Sequence, residues 1–186
     1  MNAVTPGGAP TRWVVEPTAS TACLRVGHFR GSVRGTVPVR SGVLVLDEQG
    51  APRSAAGTVD LGGIDTGNPR RDRDLRAPRL LDLDRQPGMT FTATAITGTD
   101  SGWRVAGRAE VRGRAIPLVF DVSRVTVRAG ETMSLHAAAV IDRRALGMRA
   151  PNFLIGRYVD VELRVRLRRA AGAGDTAAPE VTTAAG

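Results

Sequence analysis

Residues 64–91 read IDTGNPRRDRDLRAPRLLDLDRQPGMTF, and the interpretation of the whole chain turns on them. Prolines at 69, 78 and 87, with six arginines and five aspartates, rule out a buried strand here, whereas the sequence on both sides alternates with a period of two. The stretch is therefore an excursion out of a β-framework. Asp65 or Asn68 is the predicted cap of a short helix with Pro69 in its first turn. Ala77-Pro78 is the predicted start of a second, so that one or two short helices fall within Asp65–Asp82. Leu75, Leu80, Leu81 and Leu83 would pin them to the framework.

The framework shows most clearly near the C-terminal end. Val159, Val161, Leu163, Val165 and Leu167 alternate with Asp160, Glu162, Arg164, Arg166 and Arg168, giving a strand with one apolar and one charged face. The same period runs through Trp103, Val105, Gly107, Ala109 and Val111. It runs again through Ile116, Leu118, Phe120 and Val122, and through Met133, Leu135, Ala137, Ala139 and Ile141. Thr99-Asp100-Ser101-Gly102, Arg112-Gly113-Arg114 and Arg128-Ala129-Gly130 join these runs by the short links that antiparallel hairpins require. Earlier strands are read at Trp13–Glu16, Cys23–Phe29, Val33–Leu46 and Thr58–Leu61, with Gly31, Gly35 and Gly42 as candidate bulges or bends. The chain is thus all-β, a single antiparallel up-and-down barrel of about eight strands, the number whose interior holds side chains or one ligand. Pattern alone also admits a two-sheet sandwich.

Composition sets the outer limits. Of 186 residues 42% are hydrophobic and only 4% aromatic, enough for a core but with few bulky plugs for an interior. Residues 1–10 and 170–186, rich in Gly, Ala, Pro and Thr, are expected to be disordered, leaving a barrel domain over 11–169. All 26 basic residues are arginine, and the net charge of +8 rises to +10 between Arg12 and Arg169, where they face 16 acids. Such a field allows transient contact with an anionic membrane surface. The arginines alternate with apolar residues along strands instead of forming a block, which argues for a solvated outer face and against nucleic acid. Met1–Pro17 lacks the basic start and apolar core of a secretory signal, and no run approaches about 18 apolar residues. The single Cys23 suits a reducing compartment, so a cytoplasmic location is expected.

Within the excursion, Arg71, Asp72, Leu75 and Arg76, then Leu80, Leu81 and Asp82, then Pro87, Thr90 and Phe91 resemble the signature segment of the YceI-like family of polyisoprenoid-binding, lipocalin-like barrels. Ala145-Leu146-Gly147-Met148 and Ile155-Gly156 before Val159 resemble the family's approach to its last strand. The resemblance spans roughly Arg12 to Arg168. It departs where the family usually has a histidine (Asp74), an aspartate and two phenylalanines (Arg79, Leu80, Leu81), a His-Ser pair (Ala19-Ser20) and an aromatic (Gln86). It implies non-enzymatic binding, sequestration or transport of a long-chain polyisoprenoid or isoprenoid quinone, with no cofactor other than that lipid, and a barrel able to form a homodimer. The lumen that would hold the tail comprises Leu24, Val26, Val37, Val39, Phe91, Ala93, Val105, Ala109, Ile116, Leu118, Phe120, Leu135, Ala137, Val161 and Leu163. Arg71, Asp72, Leu75, Leu80 and Leu81 would form its mouth, with Arg71 and Asp72 as a local ion pair or a head-group contact.

Catalysis has one competing motif. Asp65-Thr66-Gly67 resembles the active-site triplet of aspartic proteases, and Asn152–Arg157 resembles the segment that supports it in the retroviral type, so a dimer could share a proton between two carboxyls. The triplet runs directly into the charged Pro69–Asp74 helix start, which favours turn and capping roles for Asp65 and Thr66. His28 and His136, the only histidines, lack the spacing of a metal site.

Overall fold

The computed structural model describes residues 10–29, 31–151 and 155–171. Its strands are β1 (Thr11–Val15), β2 (Thr21–His28), β3 (Gly31–Leu46), β4 (Pro52–Asp60), β5 (Gly88–Thr99), β6 (Gly102–Val111), β7 (Arg114–Arg128), β8 (Thr132–Asp142) and β9 (Tyr158–Arg169), with one α-helix, α1 (Pro69–Leu75). The disorder expected of the two tails lies almost wholly outside the described residues, as do Asn152–Leu154 of the protease-like segment.

Each strand from β2 to β9 pairs antiparallel with the next, and β9 returns to pair with β2, from Thr21 opposite Arg164 to Val26 opposite Val159. This closes an eight-position up-and-down barrel. The ninth strand adds no position, because β1 pairs with both β3 and β9 and lies in the same slot as β2, further along. A 3-10 turn at Pro17–Ala19 breaks that slot, since proline cannot donate to the ladder. Ser20 bridges the break: its hydroxyl donates to the Arg166 carbonyl at 3.3 Å and accepts the Arg166 N–H at 3.0 Å. The seam between β4 and β5 is shorter than the strands, running only over Ala56–Asp60 and Gly88–Thr92.

Alternating strand directions sort the connections by end. One end carries short turns, 47–51, 100–101 and 129–131; the other carries the hairpin links 29–30 and 112–113 and both long connections, 61–87 and 143–157. Arg112 and Gly113, at φ 53° and 67°, have the left-handed pair of angles that a tight hairpin link demands. The end with the short turns is plugged by buried Trp13, Leu44, Leu46, Met133 and Leu167.

Three local expectations need correction. The second helix at Ala77-Pro78 does not form. Residues 77–85 wind irregularly instead, with Leu81 N–H donating to the Leu75 carbonyl at 3.0 Å and Asp82 left-handed at φ 53°. Leu80, Leu81 and Leu83 are all buried, and residues so spaced cannot share one helical face. Gly31 and Gly35 are not bulges, because β2 and β3 pair without a break from Thr21 opposite Pro38 to His28 opposite Gly31. Gly35 serves close approach instead: the strap at 64–66 crosses there through a bridge between Thr36 and Asp65, and a Cβ would lie 3.1 Å from Thr66 Cγ2. Only Gly42 adjoins a register shift, between Val39 and Ser41.

Candidate functional site: a one-ended apolar lumen

Because residues of one parity on every strand point inward, the barrel encloses a common interior. A cavity of about 510 Å³ occupies it. Leu24 and Val26 of β2, Val37 and Val39 of β3, Phe91 of β5 and Val105 of β6 line it. Leu118 and Phe120 of β7, Leu135 and Ala137 of β8, and Val161 and Leu163 of β9 complete that wall. Phe91 and Phe120 meet edge to face, ring centroids 5.1 Å apart and planes at 87°. Ala93, Ala109 and Ile116, expected beside them, do not line the cavity. Ala109 and Ile116 are buried in the same packed cluster as Leu83 and Val111, and Ala93 packs against it.

At the end with the long connections the cavity reaches the surface, since the exposed residues His28, Asp74 and Arg79 belong to its lining. Arg71, Leu75, Leu80 and Leu81 line it from the excursion, as expected of a mouth; Asp72 does not. The expected Arg71–Asp72 ion pair is absent, because neighbouring residues on a helix point in different directions. Asp72 instead accepts from Thr66, at 2.6 Å from Oγ1 and 3.2 Å from the backbone N–H, tying the strap to α1. Asn68 caps α1 by accepting the N–H groups of Arg70 and Arg71, each at 3.1 Å. Asp65 is exposed and accepts Gly67 N–H at 2.7 Å, a turn role that lends the protease reading no support.

Arg143 was missed by the sequence reading. It continues the inward parity of β8 one step past Ile141, is 1% exposed, and lines the cavity. Its guanidinium donates to the carbonyls of Ala150 at 2.6 Å, Gly156 at 2.9 Å, Ile155 at 3.0 Å and Met148 at 3.4 Å. The described parts of this connection, 143–151 and 155–157, are thereby folded over the barrel end, where Leu146, Met148 and Ile155 add to the lining. Arg112 ties this connection to the excursion by donating to the Leu146 and Pro78 carbonyls at 3.0 and 2.8 Å. At the foot of the connection the Arg157 side chain, with the Arg144 N–H, holds the Asp142 carboxyl below its ordinary range. Among the described residues no three His, Cys, Asp or Glu side chains are grouped to hold a metal, and no helix is long and apolar enough to cross a membrane.

An antiparallel eight-position barrel, plugged at one end and carrying an apolar lumen with a charged rim at the other, is the architecture of a lipocalin-like protein. A model of the YceI-like domain matches residues 13–167, and the chain belongs to that family. Curated relatives include a UPF0312 protein of Pectobacterium atrosepticum, 25% identical over 68 residues, which are 37% of this chain and 35% of the relative. A UPF0312 protein of Serratia proteamaculans is 23% identical over 103 residues, 54% of each. The chain thus matches between about a third and a half of the length of these relatives. Among solved structures, Burkholderia cenocepacia BcnA superposes with a TM-score of 0.70 at 18% identity, covering 82% of this chain and 98% of that one. A polyisoprenoid binding domain from Saccharophagus degradans superposes with a TM-score of 0.60 at 15% identity, covering 85% and 98%. At these identities the likeness is one of fold.

Proposed function

We propose that the chain binds a long-chain isoprenoid lipid, a polyprenyl chain or the tail of an isoprenoid quinone, and sequesters or carries it without chemical change. The observation that carries this reading is the apolar cavity of about 510 Å³, plugged below by Trp13 and Met133 and reaching the surface above. Transfer of each methylene from water into such a lumen gains about 0.8 kcal/mol, so a long tail is held without polar contacts along its length. Membership of the YceI-like family and the fold shared with the polyisoprenoid binding domain of Saccharophagus degradans support the lipid class. Loading would take place against an anionic membrane surface, with Phe29 and Tyr158, 70% and 54% exposed, near the open end.

Organic extraction of protein purified from its host, followed by mass spectrometry, is expected to release an isoprenoid in stoichiometric amount. Stripped protein is expected to take up added polyprenol saturably. Extracts holding only scattered phospholipid, with no saturable uptake, would refute the reading.

A further inference from the structure

Charge is distributed unevenly along the barrel axis. The four connections at the open end, 29–30, 61–87, 112–113 and 143–157, contain twelve arginines against five aspartates, a net of +7. The three turns at the plugged end contain Asp47, Glu48, Asp100 and Glu131 and no basic residue, a net of −4. An anionic surface therefore attracts the molecule mouth first.

The open end also carries groups that the fold leaves unused. Arg70, Arg73, Arg79, Arg85 and Arg149 are exposed, and among the described residues none of their guanidinium groups forms a salt bridge or hydrogen bond. The excursion and the 143–157 connection meet in this set, since Arg149 N–H donates to the Arg79 carbonyl at 2.9 Å. At the same end Gly156 N–H donates to the Gly27 carbonyl at 2.7 Å, joining the β2–β3 link to the foot of β9. Two residues beyond that joint on each segment stand Phe29 and Tyr158, both exposed, with the Arg157 guanidinium 5.1 Å from the centre of the Tyr158 ring. Exposed rings beside guanidinium groups suit a bilayer interface, where an apolar interior meets a charged, wet layer.

We infer that the open end is a docking surface for an anionic lipid bilayer, and that it engages the bilayer whether or not the lumen is loaded. The lumen-binding reading needs a membrane only as the source of cargo. Here the membrane is a ligand in its own right, met at its phosphates by the five arginines and at its hydrocarbon boundary by Phe29 and Tyr158. Nucleic acid offers the same phosphates but no apolar layer to set against the mouth of the lumen.

The test mixes the stripped full-length chain with vesicles free of isoprenoid, either phosphatidylcholine alone or an equal mixture of phosphatidylcholine and phosphatidylglycerol, and measures binding by sedimentation. Binding to the mixed vesicles is expected to be at least about tenfold tighter, and to weaken as salt screens the arginines. Arg70→Gln with Arg73→Gln and Arg85→Gln, none of which lines the lumen, should weaken it by about fivefold per arginine. The same number of charges removed from exposed positions on the barrel wall, by Arg34→Gln, Arg108→Gln and Arg168→Gln, should weaken it far less. Phe29→Ser should speed release from the mixed vesicles. Equal binding to the two kinds of vesicle overturns the docking surface. So does an equal loss in the open-end and wall variants, or an open-end variant that loses single-stranded DNA while keeping the vesicles. Uptake of polyprenol presented in cyclodextrin, with no vesicle present, reads the lumen separately. Uptake that persists where vesicle binding fails leaves the lumen reading standing without the docking surface, and vesicle binding without uptake does the reverse.

Discussion

Replacing Arg143 by methionine isolates what holds the 143–157 connection over the lumen. Methionine keeps most of the unbranched apolar stem and removes every donor. The guanidinium is 1% exposed and reaches three carbonyls at 3.0 Å or less, those of Ala150, Gly156 and Ile155. Each part-buried carbonyl left without its donor costs up to about 1–3 kcal/mol, and the variant regains part of this because no charge has to be taken out of water. A net loss of about 3–5 kcal/mol follows, from a total that for ordinary domains is about 5–15 kcal/mol. For a domain of this size the melting midpoint should fall by roughly 6–20 °C. Arg144→Met is the control, since that side chain is exposed, and it should stay within about 0.5 kcal/mol. Arg143→Lys should resemble the methionine variant, because one ammonium cannot serve carbonyls spread around a planar fork. Urea and thermal unfolding measure the stability, and the dissociation rate of a fluorescent polyprenol measures the hold on ligand. It should rise in Arg143→Met, since Leu146, Met148 and Ile155 lose their anchor. Equal midpoints for the Arg143 and Arg144 variants would refute the anchoring argument.

Two further substitutions test the wall itself. Leu163→Asp places a carboxylate in the lumen and should cost several kcal/mol and abolish uptake, whereas Arg164→Asp, on the exposed parity, should stay within about 0.5 kcal/mol; equal tolerance at the two sites in thermal melts would show the inward assignment of β9 to be wrong. Gly107→Ala would put a Cβ 2.3 Å from the Thr92 carbonyl oxygen and 2.5 Å from Phe91 Cζ, so it should destabilise by about 1–3 kcal/mol, while Gly98→Ala, with nothing within 4 Å, should be neutral or better; the reverse order in urea unfolding would contradict the packing.

The β-framework was legible because its signal is local. Strand alternation needs only adjacent residues, and β9 shows inward Val161 and Leu163 between exposed Asp160, Glu162 and Arg164, as its pattern predicts. The hairpin links at Arg112-Gly113 and Ala129-Gly130 were legible for the same reason, and both carry left-handed angles. The excursion was harder, because charge density and proline describe a non-strand without specifying its path. Asn68 and Pro69 gave a real helix start. Ala77-Pro78 offered a similar start, but the burial of Leu80, Leu81 and Leu83 overrode it. Arg143 escaped notice because an arginine at the end of a strand is normally solvated. Its burial depends on the carbonyls of Met148, Ala150, Ile155 and Gly156, a tertiary relation that strand alternation does not contain. Inclusion of Ala93, Ala109 and Ile116 in the lumen failed for a related reason: alternation tells which face is inward, not which part of the interior other side chains occupy.

Every strand of the barrel is apolar on its inner face, and in a barrel of this size side chains alone are able to fill the interior. Here the filling is uneven. On one side β5 to β9 present Phe91, Leu118, Phe120, Leu135 and Leu163. On the other, β2 to β4 present Ala22, Gly35, Gly42, Ala55 and Gly57 among their lining residues. At Gly42 the reason is steric, since a Cβ would lie 2.6 Å from Val15 Cγ2, and Gly35 admits the strap. At these positions the β2 to β4 side of the wall carries little side-chain volume. Low aromatic content then has a structural meaning: among the described residues, the phenylalanine, tyrosine and tryptophan rings that line the cavity are Phe91, Trp103 and Phe120, on β5, β6 and β7. Enlarging Gly57 would bring a Cβ to 3.3 Å from the Ser41 carbonyl oxygen, a tight but not prohibitive approach. Enlarging Gly107, on the crowded side, would meet the Thr92 carbonyl oxygen at 2.3 Å, far inside contact distance.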